Sequence, residues 1–245
     1  MERHVVVDAG NTRTKYGVFA GNDLIEHGIV DQLNTDHIEV LFIKHSASYL
    51  LLSSVGHLDS SVKQLFEQNK SLMLLDQTLK WPFINHYRTP ETLGKDRVAV
   101  VAAAAALYPD RNSLVIDAGT CITYDLVHAG RVYEGGNIAP GLDMRLQAMH
   151  LLTARLPQVV RSERYRSIGE DTITAMQAGA EQGACHEMEG YIQTYKKTFG
   201  NLNILLTGGD APFFVKHMKT KIFASPHLVL QGLHEILKYN VQTND

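Results

Sequence analysis

The stretch Asp8-Ala9-Gly10-Asn11-Thr12 returns in altered form as Asp117-Ala118-Gly119-Thr120. Each copy closes an apolar run, Val5-Val6-Val7 in one case and Leu114-Val115-Ile116 in the other. Shifted by 109 positions against itself, the chain sets residues 8–21 beside residues 117–130, with 7 of 14 identical. The shared residues are the Asp-Ala-Gly start, Thr14/Thr123, Val18/Val127 and the closing Ala-Gly pair. One Asp-Gly turn alone is an ordinary hairpin signal. A strand–turn–strand unit repeated in matching context points instead to two similar α/β domains in tandem.

The first half reads as strands 4–8, 14–20 and 24–30, the last after the Gly21-Asn22-Asp23 turn. A helix near 35–46, strand 49–55, a helix near 60–69 and strand 72–75 follow. The second half repeats the plan with strands 113–117, 121–127 and 131–134, then helical segments at about 141–154 and 170–198. Strand 203–207, the Gly208-Gly209 turn, and helices near 211–219 and 229–240 close the chain. Tyr108-Pro109-Asp110-Arg111-Asn112 ends the apolar helix that contains Val98–Leu107, so the expected domains are 1–110 and 111–245. The last helix can return to pack elsewhere.

Each turn offers a carboxylate, a glycine and a hydroxyl. Glycine lets backbone N–H groups approach phosphate oxygens, and Asn11, Thr12 and Thr120 can donate to the same oxygens. A carboxylate at a strand end can hold a hydrated Mg²⁺, and Lys15 adds a positive charge. Two such turns suit a metal-bound polyphosphate. Thr92-Leu93-Gly94-Lys95-Asp96-Arg97 leads directly into the apolar helix. There Asp96 can orient or deprotonate a hydroxyl nucleophile, and Arg97 can fork onto a substrate carboxylate. Gly135-Gly136-Asn137-Ile138-Ala139-Pro140-Gly141 reads as a glycine-rich entry to a helix, and Thr207-Gly208-Gly209-Asp210-Ala211 as a seat for adenosine.

Composition narrows the classes. With 44% hydrophobic and 20% charged residues, the 245-residue chain can bury a real core. Net charge is −3 with no block of like charges, so neither nucleic acid nor an anionic membrane is an expected partner. Cys121 and Cys185 fit neither a disulfide framework nor a metal-ligand spacing, and the histidines show no metal-binding arrangement. The run Val98–Leu107 falls short of the ~20 residues of a membrane span, and Met1-Glu2-Arg3-His4 has no signal-peptide character. The expected compartment is the cytoplasm.

DxGNTxxK at 8–15, GxDR at 94–97, DAGT at 117–120, GGxIxPG at 135–141 and GxxT at 169–172 resemble, in order and over nearly the whole chain, the motifs of type III pantothenate kinases. These belong to the actin/hexokinase/acetate-kinase superfamily. The resemblance implies two ribonuclease-H-like, actin-like ATPase domains with the nucleotide in the cleft between them. It implies ATP-dependent phosphorylation of the primary hydroxyl of pantothenate, the first step towards coenzyme A. Carried over by residue, Asp8, Ala9, Gly10, Asn11, Thr12, Arg13, Thr14 and Lys15 form the first phosphate loop, with Asp8 near Mg²⁺ through water. Arg13 takes no separate role. Asp96 is implied as the general base. Tyr87, Gly94, Lys95 and Arg97 line the substrate pocket, Lys95 through its backbone and Arg97 on the pantothenate carboxylate. Asp117 is implied as a ligand of a monovalent cation, potassium or ammonium, and Thr120 as an ATP contact. Thr172 completes the pocket across a homodimer interface. Another kinase or phosphatase of the superfamily, or a non-enzymatic nucleotide-binding regulator, stays open as an alternative.

Overall fold

The computed structural model describes residues 2–10, 13–30, 33–56, 58–162 and 164–243. They fall into two compact units, one of Met1–Pro109, Gly130–Tyr133 and His227–Asp245, the other of Asp110–Ala129 and Glu134–Pro226. The chain first changes unit at Pro109/Asp110, but residues 227–245, expected in the second domain, group with the first.

In the first unit, β1 (Arg3–Ala9), β2 (Thr14–Ala20), β3 (Asp23–Val30), β4 (Tyr49–Ser54) and β5 (Leu72–Leu74) form one sheet in the order β3-β2-β1-β4-β5. β1 is antiparallel to β2 and parallel to β4. Val5, Val6 and Val7 are all fully buried, because this central strand is covered on both faces. Val5 and Val7 pack with Ile38 and Leu41 of α1 (Thr35–Lys44) and Val62 and Phe66 of α2 (Ser60–Gln68). The other side carries α7 (Leu228–Gln242), which packs on β1 and on α3 (Lys95–Leu107). Each such aliphatic side chain contributes about 1.5–3 kcal/mol on burial, before the entropy of ordering it. The alanine run of α3 lets the two helices close in. A Cβ on Gly232 of α7 would stand 1.7 Å from the Ala99 carbonyl oxygen, so only glycine fits there.

In the second unit, β7 (Asn112–Ala118), β8 (Cys121–His128), β9 (Val132–Pro140) from Glu134 onward, β10 (Leu202–Thr207) and β11 (Phe223–Ala224) share a sheet in the order β11-β10-β7-β8-β9. β7 is antiparallel to β8 and parallel to β10. α5 (Thr172–Phe199) buries Ala184, Met188 and Ile192 against Leu114, Ile116 and Tyr124, and α6 (Ala211–His217) adds Phe214. The first residues of β9, Val132 and Tyr133, pair with β6 (Ile84–Asn85). β6 and β11 are two residues each, too short to show a period in sequence.

The glycine-rich stretch 135–140 is strand, not a helix entry. A Cβ on Gly136 would lie 1.8 Å from the Tyr124 carbonyl oxygen, so glycine admits β9 against β8. β9 runs to Pro140, and only Gly141 caps the next helix, α4 (Leu142–Leu151).

The internal repeat slips in its middle. Asp8 faces Lys15, seven positions on, whereas Asp117 faces Thr123, six positions on. The second loop is one residue tighter, and β8, with 8 residues against 7 in β2, restores the offset at the Ala-Gly turn. The counterpart of Lys15 is therefore Thr123, and the matches Thr14/Thr123 and Val18/Val127 do not occupy equivalent places. Lysine belongs to the first loop alone.

Candidate active site

Asp8 ends β1, and Lys15 sits opposite it on β2, so their side chains leave the same face beside the loop. The Gly10 N–H donates to the Arg13 carbonyl at 3.2 Å and closes that loop. Ala9 pairs with Thr14, and Arg13 is exposed. Asn11 and Thr12 lie outside the described residues. Burial pushes the Asp8 carboxyl up to about 6; Lys15 opposes this and Asp96 adds to it. The influence of Asp96 on Asp8 places the β1–β2 loop and the start of α3 in one electrostatic neighbourhood.

At the start of α3, Gly94 is the N-cap. The Asp96 carboxylate folds back over it, with Oδ1 accepting from the Arg97 backbone N–H at 2.8 Å. A Cβ on Gly94 would stand 2.5 Å from that same oxygen. Gly94 thus leaves room for the carboxylate at the positive end of the helix. Lys95 and Asp96 are both half-buried.

Arg97 is only 4% exposed. Its Nη2 donates to the Tyr133 hydroxyl at 2.9 Å, and its Cζ lies 5.5 Å from the centre of the Tyr87 ring. Tyr87 and Tyr133 stack at 6.1 Å, and Phe83 meets Tyr133 edge-on, also at 6.1 Å. Tyr87 and Arg97 therefore come together as the motif reading expected. Tyr133 was missed: it lies 36 residues from Arg97, and no local pattern marks it.

In the second unit, Asp117 ends β7 half-buried, and the Gly119 N–H donates to the Cys121 carbonyl at 2.9 Å to close the tighter loop. Thr120 is exposed, and its carbonyl accepts from the Gly141 N–H at 3.1 Å. On the other side, Gly208 adopts φ +95°, and a Cβ there would meet the Ala118 carbonyl oxygen at 2.2 Å. The Asp210 N–H donates to that oxygen at 2.9 Å. Three glycine-bearing segments thus meet at the carboxyl ends of parallel β7 and β10, the usual place for a ligand in such sheets. Thr172 is exposed at the start of α5, behind a capping box of Asp171 and Thr174. It belongs to the second unit and Asp96 to the first.

Among the described residues no three His, Cys, Asp or Glu side chains are grouped to hold a metal ion. A cation at Asp8 or Asp117 would draw its other ligands from water, phosphate and backbone oxygens, the donor set that Mg²⁺ favours. Among the same residues no helix is long and apolar enough to cross a membrane.

Two ribonuclease-H-like α/β units, each with a strand–turn–strand loop led by aspartate, define an actin-like ATPase and hexokinase fold. Solved structures share it. A Campylobacter jejuni protein described as a Baf family transcriptional activator superposes with TM-score 0.62 at 20% identity, covering 97% of this chain and 99% of that one. The ROK hexokinase of Thermus thermophilus gives 0.54 at 14% identity, covering 98% and 99%. The chain belongs to the type III pantothenate kinase family, whose model matches residues 4–194. The type III pantothenate kinase of Christiangramia forsetii is 41% identical over 241 residues, 97% of this chain and 98% of that protein.

Proposed function

We propose that the chain transfers the γ-phosphoryl group of ATP to the primary hydroxyl of pantothenate, giving 4'-phosphopantothenate at the entry to coenzyme A biosynthesis. The observation that carries this reading is the neighbourhood of Asp8 and Asp96. Asp8, facing Lys15 beside a loop suited to phosphate, and Asp96, pinned by the Arg97 N–H at the start of α3 as a carboxylate suited to the acceptor hydroxyl, belong to one unit.

Phosphoryl transfer asks a protein for in-line positioning and charge neutralisation more than for covalent help. Asp96, held at the start of α3, accepts the hydroxyl proton as the oxygen attacks. Arg97 takes the pantothenate carboxylate, with Tyr133 fixing its guanidinium and Tyr87 stacked beside it. Gly94 and the Lys95 backbone line the same pocket. The first loop, Asp8 to Lys15, cradles the β- and γ-phosphates through its amides and the Lys15 ammonium. Thr120 touches the nucleotide from the second loop, and the Gly208-Gly209 turn seats the adenosine. Asp8 would hold Mg²⁺ through water and Asp117 a potassium or ammonium ion, each neutralising phosphate charge when bound.

Thr172 completes the substrate pocket of a second copy. Ile168 and Ile173, close to it in the chain, are exposed, as are Leu151, Leu152 and Val160 elsewhere in the second unit, apolar surface that a homodimer would cover. The enzyme works in the cytoplasm on soluble substrates. Asp96→Asn is expected to lower pantothenate-dependent ADP release at least ~100-fold while ADP binding survives. Unchanged turnover would remove Asp96 from the reaction. Nucleotide binding by the native chain without any ADP release would favour a regulator.

A further inference from the structure

We infer that Arg161 is a positioning residue for the nucleotide, its guanidinium holding the first turn of α4 and the β10–α6 turn at one spacing around the Asp117 loop. The inference rests on the reading that this loop binds ATP.

Arg161 lies in the non-helical linker between α4 and α5. Its Nε and Nη2 donate to the two carboxylate oxygens of Asp143 at 2.6 and 2.7 Å. Its Nη1 and Nη2 donate to the two oxygens of Asp210 at 2.5 and 3.0 Å. Asp143 stands in the first turn of α4, two residues beyond Gly141, which bonds Thr120. Asp210 follows the Gly208-Gly209 turn and bonds Ala118 through its own N–H. The two elements that grip the loop from opposite sides are therefore tied to each other through a single guanidinium.

The mount of that guanidinium is fixed as well. On one side of it the Val160 carbonyl accepts from Gln177 Nε2 at 2.9 Å. On the other the Ser162 N–H donates to Glu181 Oε1 at 2.6 Å, and Glu181 is 2% exposed. Both anchors are on α5. Arg161 spends four of its five N–H donors on two carboxylates, so its main partners are those carboxylates rather than a phosphate. Its work is indirect. Without it, Asp143 and Asp210 repel each other, the two turns lose their spacing, and the field beside the loop becomes more negative where polyphosphate must sit.

The test compares native protein with Arg161→Met, Arg161→Lys, and Arg161→Met combined with Asp143→Asn. Arg161→Met should raise the KM for ATP and weaken ADP binding about ten-fold, with the KM for pantothenate within about two-fold of native. Arg161→Lys keeps the charge but cannot fork onto two carboxylates, so it should fall between. Adding Asp143→Asn to Arg161→Met relieves the repulsion and should recover part of the ADP affinity, a rescue that a packing role would not give. If Arg161→Met does not fold, Asp143→Asn alone, which loosens only the α4 arm, should raise the KM for ATP in the same selective way.

An unmoved KM for ATP in a folded variant overturns the inference. So does a proportional rise in both KM values with a lowered Tm. Absence of ADP binding by the native chain would instead overturn the nucleotide reading itself, and this inference with it.

Discussion

Asp96, the carboxylate proposed to take the hydroxyl proton, has to be held still for that task, and three features hold it. Gly94 leaves the space, the Arg97 N–H pins Oδ1, and the start of α3 supplies the field. Arg97 is set with similar care, because a buried guanidinium needs partners for its donors. Tyr133 is one of them. Tyr133→Phe removes the acceptor for Nη2 but keeps the ring stack, at a net cost of about 1 kcal/mol. Steady-state kinetics should show the KM for pantothenate rising about five-fold with the KM for ATP unmoved; an unaltered pantothenate KM would mean that Arg97 does not need this tether. Asp96 and Arg97 stand out as candidates in the sequence, because helix-start chemistry and the GxDR spacing are local. Tyr133 and Arg161 do not, since each acts through a partner made close only by folding.

Among the elements, α7 carries the least expected role, for it closes the first unit from the far end of the chain. Two buried histidines join it to β1, with His4 Nδ1 and His234 Nε2 3.1 Å apart. His234 also stacks on Phe19 at 4.0 Å. Burial, then Lys238 and His4, push the His234 imidazole down to about 3; burial also lowers His4, although Glu2 works the other way. Both groups bind protons more readily once unfolded. Their stabilising contribution is therefore full above an unfolded pKa of about 6.5 and is lost as pH falls towards the folded value, by up to about 1.4 kcal/mol per pH unit for each proton. Thermal unfolding from about pH 7 to about pH 5 should show a falling Tm, and a smaller fall in His234→Phe. An equal fall in both proteins would assign the acid sensitivity elsewhere. The strands of the repeat were readable from apolar runs and Asp-Gly turns. β9 was not: its glycines resemble a loop in sequence, and their reason is the backbone of β8, which no local window contains.

At the scale of the molecule, duplication explains why a chain of this length has two sheets with an aspartate loop on each, and divergence explains why the loops differ. The first has Lys15 and a longer turn; the second is tighter and is gripped by the Gly141 and Gly208 segments. That asymmetry is what the proposed division of labour, phosphates on the first loop and nucleotide contacts on the second, draws on. The helix that precedes Pro109 ends at a helix-breaking sequence that a local window contains, whereas the grouping of residues 227–245 with the first unit goes with the fit of Gly232 against Ala99, which no local window contains. A chain ended at Pro226 should lose the cooperative unfolding of the first unit, and with it activity; a native-like melting curve would show that α7 is dispensable. The most direct test of the whole account is ADP release from ATP, with Mg²⁺ and potassium present, measured with and without pantothenate and with the product identified by mass. ADP should appear only with pantothenate, matched mole for mole by 4'-phosphopantothenate. ADP release that ignores pantothenate, or none at all from a chain that binds nucleotide, would contradict it.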